Sequence, residues 1–97
     1  MVTKKLHTVT IDFQGARSKA DLFARVATAL ALPAHFGNNL DALHDCLTDL
    51  PVKANTPWRI ELTNVPKLAA AQDIGATFAD ASAFFKKQGA TLEIVQA

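Results

Sequence analysis

Apolar positions recur along the chain with two different periods, and the changes of period mark out its elements. Residues 6–13, "LHTVTIDF", alternate: Val9, Ile11 and Phe13 fall on one side, Thr8, Thr10 and Asp12 on the other, as in a strand buried on one face. "SKADLFARVATALAL" then shifts to a helical period, with Leu22, Val26 and Leu30 as its stripe. Ser18 is placed to cap this helix, and Asp21 forms a weak capping box with it. Pro33 predicts the helix end, because the residue before a proline avoids helical backbone. A loop over "ALPAHFGNN" follows, with Gly37 and two asparagines suited to a turn and a new helix start. "NLDALHDCLTDL" is that helix, with Leu40, Leu43, Leu47 and Leu50 on its inner face and Pro51 closing it.

Alternation returns in "WRIELTNV", where Trp58, Ile60 and Leu62 oppose Arg59 and Glu61. Pro66 predicts a short helix through "KLAAAQDI", stopped by Gly75. Thr77 with Asp80 predicts a further helix, "FADASAFFKKQ", with Lys86 and Lys87 in its last turn and Gly89 beyond. "ATLEIV" is the last strand. The expected order is β-α-α-β-α-α-β. Helical crossovers between consecutive strands predict a parallel sheet, and the alternation predicts helices on one face with solvent on the other. The expected fold is therefore a small two-layer α/β domain with a three-stranded sheet, occupying residues 1–97 as one unit.

Composition narrows the function classes. Half the residues are apolar and a fifth charged, as in a folded globular protein. One cysteine, Cys46, excludes an internal disulfide and suits a reducing compartment. The start "MVTKKLHTVTIDF" lacks the apolar core of a secretory signal, and no apolar run approaches a membrane span, so a cytoplasmic protein is expected. The net charge of +1 says little, but its distribution says more. Between Val26 and Val52 there is no Lys or Arg, while Asp41, Asp45 and Asp49 all lie there.

The second helix carries the candidate chemistry. Asp41, His44, Asp45 and Thr48 share a face rotated away from the leucines. Like charges four residues apart disfavour a helix by about 0.2–0.5 kcal/mol, and the dipole compensates Asp41 near the N-terminus better than Asp45. Solvated surface is the commonest meaning of such a face. A metal site built from His35, Asp41, His44 and Asp45 has neither a strong ligand spacing nor a completing ligand. No nucleophile motif or phosphate loop accompanies the His–Asp pair, so no enzyme and no cofactor are expected. An RNA-binding module would need clustered cations with stacking aromatics. Here cations are scattered, tyrosine is absent, and the most distinctive segment is acidic.

"ALPAHFGNNLDALHDCLTDL" (31–50) resembles the signature of the barstar family, small intracellular inhibitors of secreted bacterial ribonucleases. The matching positions are Leu32, Pro33, Phe36, Gly37, Asn39, Leu40, Asp41, Ala42, Leu43, Asp45, Cys46, Leu47 and Thr48. The expected element order also resembles the family fold. The resemblance implies that the loop and the start of the helix plug a ribonuclease active site. It further implies that Asp45 takes the place of a substrate phosphate and that Asp41 supports it. Asn39, Gly37, His35, His44 and Thr48 would complete the contact. This chain departs from the family at His35 and His44, where aromatics are usual, and at Leu50. The carboxylate that the family's well-studied member takes from its last helix falls at Phe84. The expected partner is thus a small, basic, extracellular ribonuclease, with no direct nucleic-acid or membrane contact and a monomeric free state. A barstar-like module that binds a different basic protein is the alternative.

Overall fold

Three strands, β1 (His7–Asp12), β2 (Trp58–Thr63) and β3 (Leu92–Gln96), pair in sequence order into one parallel sheet. A computed structural model describes residues 6–33 and 39–96. Register places Val9 beside Ile60 and Ile60 beside Ile94, so the apolar side of each strand continues across the sheet. Ile11, Phe13, Trp58, Ile60, Leu62 and Leu92 are buried there. The reverse face is polar. Thr8, Arg59 and Glu93 lie in one cross-strand row, and Thr10, Glu61 and Val95 in the next. The Thr10 hydroxyl donates to Glu61 at 3.1 Å. Arg59 Nε lies 3.2 Å from Glu93, close enough for an ion pair, although its N–H makes no hydrogen bond. Both side chains are well exposed, so the pair contributes little.

Helices α1 (Lys19–Leu30), α2 (Leu40–Thr48) and α3 (Ala69–Lys87) cover the apolar face. Ser18 caps α1, its hydroxyl accepting from the Asp21 N–H at 3.1 Å. The helix ends at Ala31 in the left-handed region (φ 52°), with the Leu32 N–H donating back to the Ala27 carbonyl at 2.9 Å. Chain direction therefore turns before Pro33 is reached.

The expected pair of helices in the second crossover is one continuous helix, α3, so the order is β-α-α-β-α-β. Pro66 and Lys67 precede it, and Leu68 takes the cap position without a side-chain bond. Gly75 lies inside the helix rather than ending it, and the Thr77 hydroxyl donates to the Asp73 carbonyl one turn back at 2.9 Å instead of capping a new start. The reason is the uninterrupted stripe Ala71, Ile74, Phe78, Ala81 and Phe85, all buried. A glycine in a helix costs about 1 kcal/mol relative to alanine. Fully burying residues such as Ile74 or Phe78 is worth about 1.5–3 kcal/mol each. The stripe wins.

Candidate functional site

α2 has nine residues, too few to persist as a helix alone, so its neighbours must hold it. Asn39 sets its start, the side-chain oxygen accepting from the Ala42 N–H at 2.7 Å. Among the described helices and strands, its backbone packs against α3. Leu43 and Leu47 are fully buried in the core, and Leu40 and Leu50 pack partly against it. At about 1.5–3 kcal/mol for each fully buried leucine, this anchoring outweighs the like-charge repulsion along the outer face, about 0.2–0.5 kcal/mol per pair.

That outer face is where the acids stand. Asp41, Asp45 and Asp49 are exposed, and His44 and Thr48 are half-buried between them and the core. No ion pair or side-chain hydrogen bond engages the Asp41 or Asp45 carboxylate among the described residues. The Thr48 hydroxyl is turned inward, donating to the backbone carbonyls of His44 (3.0 Å) and Asp45 (3.2 Å). It therefore has no donor left for a partner. Asn39 likewise serves the helix start with its oxygen. His35 and Gly37 lie outside the described residues.

Asp49 is an acid that the sequence placed in the anionic stretch but not among the contact residues. Its signal was the spacing 41, 45, 49, which carries the acidic row to the helix end, where Asp49 is the C-cap. Its influence is visible at Cys46. Burial first, then the charges of Asp49 and Asp45, push the thiol above its ordinary range. Cys46 is half-buried against the core, consistent with packing rather than chemistry.

A pocket of about 520 Å³ lies between α3 and the carboxyl ends of the strands. Phe13, Leu62, Val65, Ile74 and Ile94 line it, with Lys67 as its charged group. None of the α2 acids lines it. Among the described residues, no three His, Cys, Asp or Glu side chains are grouped to hold a metal, and no helix is long and apolar enough to cross a membrane. The α2 face can therefore present fixed negative charge to something that comes to it. A carboxylate held rigidly can occupy a site built from Arg, Lys and His to hold phosphate, because both offer oxygens to the same donors. A family model described as Barstar (barnase inhibitor) matches residues 6–97.

Proposed function

The chain belongs to the barstar family, and on that membership and the geometry of α2 we propose that it inhibits a small basic ribonuclease by filling its active site. The observation that carries this reading is a pair of exposed carboxylates, Asp41 and Asp45, one turn apart and without an internal counter-charge among the described residues. The helix that bears them is fixed from below by Leu43 and Leu47.

In this reading Asp45 enters the enzyme's phosphate-binding cations and accepts charge-assisted hydrogen bonds from them. Asp41, nearer the helix start, pairs with neighbouring basic groups. His44 packs between the two acids, and Asn39 and Thr48 act by holding the helix. His35 and Gly37, which precede α2 in the sequence, are further candidates for the contact. No bond is made or broken; the enzyme is blocked because RNA and inhibitor require the same site. The cation-free stretch from Val26 to Val52 steers a basic partner toward α2, which makes association fast and sensitive to salt. The inhibitor works as a monomer in the cytoplasm, where a nuclease made for export would otherwise degrade the cell's own RNA.

RNA hydrolysis by a panel of small basic extracellular bacterial ribonucleases, barnase among them, tests this. Stoichiometric loss of activity of at least one enzyme is the expected result. Full activity of every enzyme at micromolar inhibitor would refute the reading and leave a module for another basic protein.

A further inference from the structure

The cavity of about 520 Å³ beside α3 falls within the range of about 300–1,000 Å³ typical of small-molecule pockets. Its lining is sorted by depth. Phe13, Leu62 and Ile74 are buried and Ile94 is half-buried, so the inner wall is aliphatic and aromatic. Lys67, Gln72 and Gln96 are exposed, so the polar groups stand at the mouth. A pocket with an apolar floor and a few polar groups at one end suits a ligand built the same way.

The space is left open by α3. Ala71 and Gly75, one turn apart on that helix, both line the cavity and fill little of it. A Cβ built at Gly75 meets nothing within 4 Å, so packing does not require a glycine there, although it is the weaker helix former. Charge at the mouth is one-sided. Lys67 is the only charged residue of the lining, and no acid shares the cavity with it. No ion pair engages its ammonium among the described residues. The first turn of α3, which contributes Ala71 and Gln72, carries no acid and no side-chain cap, so the helix dipole adds to the positive potential of Lys67. One ammonium together with side-chain amides matches a single carboxylate. A doubly charged phosphate would call for more cations than one lysine.

We propose that this cavity binds a small amphipathic monocarboxylate, with its hydrocarbon part against Phe13, Leu62, Ile74 and Ile94 and its carboxylate on Lys67. The small residues Ala71 and Gly75 set the room for the hydrocarbon. Lys67 is exposed, so water screens its attraction and apolar contact supplies most of the affinity. Burial holds the ligand, and charge selects it. The inference is independent of the reading of α2, because the cavity shares no residue with the α2 acids and its test needs no ribonuclease.

The test is a titration of the whole chain with octanoate at neutral pH, followed through backbone amide NMR signals. Octanamide, of the same size but uncharged, and acetate, charged but without a tail, are the comparison ligands. Octanoate should shift the signals of Ile74, Gly75 and Ile94, with a dissociation constant in the low-millimolar range or below. Octanamide should bind about two- to fivefold more weakly, and acetate should leave these signals in place at the same concentrations. Lys67→Gln should erase the preference for octanoate over octanamide, whereas Lys67→Arg should keep it. Gly75→Leu should fill the cavity and weaken octanoate by at least about tenfold, with the thermal midpoint unchanged or higher. If octanoate at up to about 20 mM shifts none of these signals, or if octanamide binds equally well, the proposal is overturned. Undiminished binding to Gly75→Leu places the ligand elsewhere and also overturns it. Should that variant not fold, the Lys67 pair and the signals of the parent decide the matter.

Discussion

Replacing Asp45 by alanine should move stability and inhibition in opposite directions. In the free protein the carboxylate is exposed, engages no cation among the described residues, and has Asp41 and Asp49 four residues away on either side. Each such like-charge pair disfavours the helix by about 0.2–0.5 kcal/mol. Asp45 also lies in the second half of α2, where the helix dipole opposes an anion. Alanine further has the higher helix propensity, by up to about 0.7 kcal/mol. Together these raise the stability of the free protein by about 0.5–1.5 kcal/mol. For a domain of this size that is a thermal midpoint higher by about 2–10 °C. The complex behaves oppositely. Removing one member of a desolvated charge pair costs on the order of 2–5 kcal/mol or more, a range to which a barstar complex itself contributed and which serves here as a yardstick. Differential scanning calorimetry of the free variant beside inhibition titrations measures both signs. A midpoint lowered by more than about 2 °C would show that the carboxylate has a stabilising role inside the fold, and the assignment of Asp45 to the contact would lose its basis.

Three further outcomes follow from the same geometry. Asp12 at the end of β1 accepts from the Asn64 side chain (2.8 Å) and from the Gln14 N–H (2.9 Å), which hold its carboxyl below the usual range. Its stabilising effect is therefore present above the ordinary carboxylate value of about 4 and is lost as pH falls through the lower native value. Asp12→Asn should show a shallower decline of thermal midpoint with acidification than the parent, and parallel declines would contradict this. Gly75→Ala should stabilise the protein by about 0.5–1 kcal/mol, because a Cβ built there meets nothing within 4 Å. Chemical unfolding checks it, and any loss of stability would mean that the helix needs the glycine. Cys46 should react with a thiol reagent at neutral pH at least about tenfold more slowly than a free cysteine, given its raised pKa; labelling at the free rate would remove burial and the Asp49 and Asp45 charges as controls.

Much of this was legible in the sequence because its signals are local. Alternation in β1 and β2 put Ile11, Phe13, Trp58, Ile60 and Leu62 inside, and the leucine spacing of α2 turned Asp41 and Asp45 outward. The error in the second crossover is also local in origin. Pro66, Gly75 and Thr77 are each ordinary boundary signals, and only the buried stripe through Ile74 and Phe78 overrides them. Splitting α3 also lost the phase of the helix. With that phase continuous, Phe85 repeats Phe78 seven residues on and must go inward, which leaves Phe84 outside. The link between Asp12 and Asn64 joins residues 52 apart and leaves no periodic trace. The inward turn of the Thr48 hydroxyl was equally hidden, because a threonine on an outer face reads the same whether it donates to solvent or to its own helix.

The most direct test of the account is competition between this protein and a nucleoside monophosphate for an inhibited ribonuclease. If the α2 carboxylates stand where the substrate phosphate binds, the apparent inhibition constant rises in proportion to nucleotide concentration once the enzyme's phosphate site begins to fill. An inhibition constant that stays flat as that site saturates would place the inhibitor elsewhere on the enzyme and contradict the central claim.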